Sequence, residues 1–144
     1  MTLVELLVVI GIIGVIVGMG VPALTRYAQQ VRLKATTRQV VGLVALARSL
    51  AISSHQEHAV VIDQDKGEIR VVNTASGEAL EQMIRLPSAL SVVMEVAGQP
   101  ADEMQLTFRP TGSLTGRTVS LTLAEGERQQ TVVVTGTTGA VAVQ

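Results

Sequence analysis

Hydrophobic positions along the chain follow three successive patterns. Between Glu5 and Arg26 no side chain is charged, and the interval reads LLVVIGIIGVIVGMGVPALT. At about 1.5 Å of rise per residue, roughly 20 apolar residues span the ~30 Å hydrocarbon core of a bilayer. The first pattern therefore predicts a membrane helix, with a kink expected at Pro22, where proline removes a backbone donor. A secretory signal peptide is the weaker reading, because no basic residue precedes the run and Glu5 stands where a positive charge is expected. Gly11, Gly14, Gly18 and Gly20 weaken a helix in water but permit close helix–helix approach in a membrane.

From Arg26 the period becomes that of an amphipathic helix. Val40, Leu43, Val44, Ala47, Leu50 and Ala51 recur at helical spacing, with Arg38, Gln39, Arg48 and Ser49 between them. This helix is expected to end near Ser53 or Ser54. One continuous helix from residue 2 to 53 would be about 75 Å long at 1.5 Å per residue, so half of it is expected to protrude from a small domain.

After Ser54 the period falls to two and β-branched residues dominate. The expected strands are Ala59–Asp63, Glu68–Asn73, Gln82–Leu86, Ser91–Val96, Met104–Arg109, Thr118–Leu123, Thr131–Thr135 and Ala140–Val143. Turn formers separate them, including Asp65-Lys66-Gly67, Ser76-Gly77, Gly98-Gln99-Pro100 and Glu125-Gly126-Glu127. The fold class is therefore α+β. A long N-terminal helix packs its amphipathic half on an antiparallel sheet or a two-sheet sandwich. Three segments follow: 1–25 for membrane and assembly, 26–54 for the amphipathic half, and 55–144 for the β domain.

Composition narrows the chemistry. Hydrophobic residues make up 47% of the 144 positions, yet there is one Phe, one Tyr and no Trp, so the core must be aliphatic. A net charge of -1 gives the chain as a whole no electrostatic reason to bind nucleic acid. The absence of Cys removes disulfides, thiolate zinc sites and thiol nucleophiles. His55 and His58 flank Glu57, but the spacing is not H-E-x-x-H and no further ligand cluster is evident. Asp63, Asp65 and Glu68 around Gly67 fit a hairpin turn better than a calcium loop. No serine has a G-x-S-x-G context, and Gly112 and Gly116 do not form a phosphate loop. Nothing in the chain supports catalysis, a metal or a cofactor.

One loop stands apart. Pro110–Gly116 is too rich in turn formers to be a strand, yet Leu114 is apolar. Gly112, Leu114 and Gly116 are candidates for a subunit-contact loop. In the alternative, which is slightly favoured, Leu114 folds back as a minor core residue.

The N-terminal run Met1-Thr2-Leu3-Val4-Glu5-Leu6-Leu7-Val8-Val9-Ile10 resembles the mature N-terminus of type IV pilins and pseudopilins. The resemblance implies a basic leader removed by a prepilin peptidase, N-methylation of Met1, and Glu5 at the family's fifth position. It further implies that Glu5 pairs with the terminal amine of an adjacent subunit. A carboxylate at the edge of a membrane segment is costly unless paired, which supports that role on separate physical grounds. An intrachain pair with the Met1 amine and a Glu5 reaching the headgroups remain alternatives.

Later segments narrow the group. Ala45-Leu46-Ala47-Arg48-Ser49-Leu50-Ala51-Ile52 and Phe108-Arg109-Pro110-Thr111-Gly112-Ser113 look like the pseudopilin H group, which includes minor pilins of the FimT type. The implied function is a non-enzymatic minor pseudopilin at or near the tip of a type II secretion pseudopilus. Its implied partners are other major and minor pseudopilins through helix packing, the inner membrane, the prepilin peptidase and secreted substrates. The implied location is the bacterial inner membrane, single-pass, with the C-terminal domain in the periplasm. Arg26, Arg32, Lys34 and Arg38 beyond the span run against the usual placement of positive charge on the cytoplasmic side. The alternative is a minor pilin of a type IV pilus, serving pilus assembly or DNA uptake. Pilus members often carry a C-terminal disulfide, and the lack of Cys favours secretion.

Overall fold

The computed structural model describes residues 2–101 and 103–144, with the side chains of residues 17, 19–23 and 81 outside the description. Helix α1 runs Leu3–Ser54 without a break. The bend expected at Pro22 concerns a side chain outside the described residues. Among the described residues nine strands follow: β1 His58–Asp63, β2 Glu68–Asn73, β3 Ala79–Arg85, β4 Ser91–Val96, β5 Gln99–Pro100, β6 Gln105–Phe108, β7 Val119–Glu125, β8 Arg128–Val134 and β9 Val141–Val143. They form a four-stranded sheet of order β3-β2-β1-β6 and a five-stranded sheet of order β5-β4-β7-β8-β9. Every pairing is antiparallel. The fold is thus α+β, and the two-sheet form of the expected domain is the one adopted.

The chain falls into two compact units, Met1–Arg32 and Leu33–Gln144. In the second, the helix buries Leu33, Thr36, Thr37, Val40, Leu43, Val44, Ala47 and Ala51. This three-and-four spacing is one face of an α-helix. Val44, Ala47 and Ala51 are fully enclosed, and small residues there let the helix lie close to its neighbours. The buried Thr37 hydroxyl is satisfied by donating to the Leu33 carbonyl, 2.8 Å away. The sheets contribute Val60, Ile69, Val71, Met94, Leu106, Phe108, Leu121, Leu123, Val132 and Val134 to one aliphatic core around a single phenylalanine. Alternation along β7 is complete, with Val119, Leu121 and Leu123 inward.

The three largest departures from the expected strands each come from a tight turn. Val96 pairs with Gln99, so Ala97-Gly98 is a two-residue connection with φ of 53° and 81°. Two successive positive φ values define a type I′ hairpin turn, which folds Gln99-Pro100 back as β5 where an open turn was expected. Pro100 is tolerated because β5 is an edge strand. Glu125 pairs with Arg128 around Gly126-Glu127, where only Gly126 has positive φ (63°). That type II′ geometry carries β8 back to Arg128, three residues before its expected start. Strand β3 likewise begins at Ala79, directly after the Gly77 turn.

Candidate functional site

The helix begins with a reciprocal cap. The Glu5 amide donates to Thr2 Oγ1 and the Thr2 amide donates to Glu5 Oε2, each at 3.3 Å. Thr2-x-x-Glu5 is therefore a capping box that satisfies two of the helix's orphan donors. A carboxylate in the first turn also suits the helix dipole. This local role for Glu5 was missed in the sequence, although the S/T-x-x-E spacing was there to read. Met1 lies outside the described residues.

Beyond the cap, residues 6–16 of the helix are apolar all round. Leu6, Leu7, Val8, Val9 and Ile10 are all about half exposed, as are Ile12, Ile13, Val15 and Ile16. Consecutive positions point in every direction around a helix, so no one face can be hidden by lying on a single surface. Open space lies beside Gly11, Gly14 and Gly18, which leaves room for a second helix backbone. Among the described residues no helix is long and apolar enough to cross a membrane.

In the second unit, the two segments that resemble the pseudopilin H group meet. Arg48 Nε donates to the Gly112 carbonyl at 3.1 Å. Gly112 has φ of +81°, and a Cβ there would lie 2.8 Å from Ile52 Cδ1. Gly139, at φ +63°, packs its Cα face against the Gly112 carbonyl and Arg48 Nε. The last turns of α1, the Pro110–Gly116 loop and the β8–β9 turn are thus joined at one point. Sequence reasoning had the two segments but not their contact.

The loop's candidate residues separate. Leu114 is 4% exposed and belongs to the core, so the fold-back alternative describes its side chain. Its amide donates to the Gly136 carbonyl, and it bridges to Phe108. Gly112 is buried and Gly116 is exposed, with Thr111 and Thr115 also at the surface. Leu114 therefore offers no exposed side chain to a partner.

The other polar clusters have structural occupations. Asp63 Oδ1 accepts from the Lys66 amide at 3.0 Å, and the Lys66 ammonium lies 3.5 Å from Oδ2. The amide bond first, then the Lys66 charge, holds the Asp63 carboxyl below its ordinary value of 3.8. Glu68 faces Arg85 at 3.5 Å. His55, at φ 57°, is the left-handed residue that ends α1, and buried His58 donates from Nδ1 to the Gln56 carbonyl. Among the described residues no group of three or more His, Cys, Asp or Glu is placed to hold a metal ion.

A long N-terminal helix that buries one face of its second half in a two-sheet antiparallel core, and whose described apolar side chains up to Ile16 are exposed, is the architecture of the pilin class of subunits. The type II transport protein GspH family matches residues 36–138, and this chain belongs to that family. Its fold is similar to the type IV minor pilin FimU of Pseudomonas aeruginosa strain PAO1, at 15% identity and TM-score 0.66, covering 82% of this chain and 92% of that one. It is also similar to the minor pseudopilin EpsH of the Vibrio cholerae type 2 secretion system, at 21% identity and TM-score 0.61, covering 78% and 96%. No curated protein sequence matches the chain. The chain is thus a member of the type II transport protein GspH family that has the fold of these two subunits.

Proposed function

We infer that this protein is a minor pseudopilin at or near the tip of a type II secretion pseudopilus, where it supports export of proteins across the outer membrane. The family match supports the secretion system. The observation that carries assembly through the helix is the all-round exposure of apolar side chains from Leu3 to Ile16, which water alone would not stabilise. In this reading residues 1–25 anchor the chain in the inner membrane and later pack among major and minor pseudopilin helices. Residues 26–54 carry the helix into the domain, and 55–144 stand in the periplasm. A prepilin peptidase exposes Met1, which is then N-methylated, and Glu5 pairs with the amine of the neighbouring subunit. Secreted proteins are the cargo that the tip meets.

The cap geometry sharpens the test of Glu5. Glu5→Gln retains a group able to reach the Thr2 amide but removes the charge, whereas Glu5→Ala removes both. Each is expected to insert in the membrane and to fail in co-assembly when it complements a deletion strain, read as loss of secreted protein. Normal secretion by Glu5→Gln would reduce Glu5 to a helix cap. If deletion abolishes surface pili or DNA uptake and leaves secretion intact, the pilus reading replaces the secretion one.

A further inference from the structure

Exposed cations of the helix begin at a definite place. Leu24 is 70% exposed and ends the apolar run, Arg26 is the first charge after Glu5, and Tyr27 beside it is 65% exposed. No Asp or Glu lies between Glu5 and Glu57 in the sequence. Tyr27 is also the chain's sole tyrosine. A ring with a polar tip next to a guanidinium, both at the end of an apolar helix, is the side-chain pair suited to a membrane–water boundary.

We propose that Arg26 and Tyr27 form a site for anionic phospholipid headgroups that sets the depth of the helix before it is drawn into a filament. The proposal rests on the membrane-anchor reading above. Arg26 offers a bidentate, permanently charged fork to a lipid phosphate. Tyr27 places its ring at the acyl boundary and its hydroxyl among the headgroups. Reach decides which cations take part. Arg38 lies about 18 Å further along a helix than Arg26, at 1.5 Å per residue. The headgroup layer is about 5–8 Å thick and the Debye length about 8 Å, so Arg38 falls outside the field that Arg26 feels.

The full-length protein, reconstituted in phosphatidylcholine vesicles with and without phosphatidylglycerol, tests this. Flotation and resistance to alkaline extraction report the anchor itself. Spin-labelled phosphatidylglycerol is expected to associate with the protein about fivefold better than spin-labelled phosphatidylcholine. That preference is expected to fall in Arg26→Gln and in high salt, and to persist in Arg38→Gln. Because the chain has no Trp, Tyr27→Trp supplies a single reporter, expected to be quenched by lipids brominated near the headgroup and not deep in the tails. Failure to float overturns the anchor and the lipid site together. Stable insertion with no lipid preference, or with an unquenched Trp at position 27, overturns the lipid site alone. Equal loss in Arg38→Gln also overturns it, by pointing to diffuse charge.

Discussion

Ala97 holds a left-handed backbone at φ 53° without the freedom of glycine, and its side chain is exposed. A type I′ turn prefers Asn-Gly, and Ala97-Gly98 already supplies the glycine. Ala97→Asn is expected to stabilise the domain by about 0.5–1 kcal/mol, seen as a higher melting temperature with unchanged fold. The Asp63 turn gives a pH dependence. Its carboxyl is lowered in the folded state, chiefly by the Lys66 amide, so its contribution is present above the unfolded value and is lost as pH falls through the folded one. Asn keeps an acceptor for the Lys66 amide but not the charge. The melting temperatures of the wild type and Asp63→Asn are thus expected to differ at neutral pH and to converge as pH falls below the folded-state value of the carboxyl. The Asp65-Lys66-Gly67 turn was legible from residue type. The left-handed Ala97 was not, because nothing intrinsic to alanine favours that conformation and only strand pairing on both sides imposes it.

At the level of elements, the strands were legible where side chains alternate and blurred where polar residues pair on a sheet. Gln129 and Gln130 read as loop, yet they pair with Ala124 and Leu123 because the II′ turn brings them there. Two glycines with the same backbone angle separate local strain from packing. Gly126 and Gly139 both have φ of +63°, but a Cβ on Gly126 meets nothing within 4 Å, while one on Gly139 collides with the Gly112 carbonyl. Gly126→Ala is expected to cost about 1–2 kcal/mol from conformation alone. Gly139→Ala adds the displacement of two loops and loosens the Arg48 bond, and is expected to cost at least ~3 kcal/mol. Thermal unfolding of the two variants checks the order. Equal losses would mean that the junction of helix, loop and β8–β9 turn yields easily.

On the scale of the whole molecule, the described exposed apolar side chains of α1 concentrate before residue 32, and burial starts at Leu33. A chain lacking its first 28 residues or so is expected to be a folded monomer in buffer without detergent, because the removed stretch is of bilayer length. Size-exclusion chromatography with circular dichroism checks this, and persistent aggregation would count against it. What the amino-acid order determined by itself is what hydrophobic period encodes: a bare apolar helix, an amphipathic continuation, and short alternating strands. Those signals are local, since each residue's preference depends on neighbours within a few positions. The tertiary structure decided what depends on distant partners. It divided the strands into two sheets, turned Leu114 inward, and joined Arg48 to Gly112 across 64 positions of sequence. No local pattern carries such a contact, because its energy exists only once the helix and both loops are already in place.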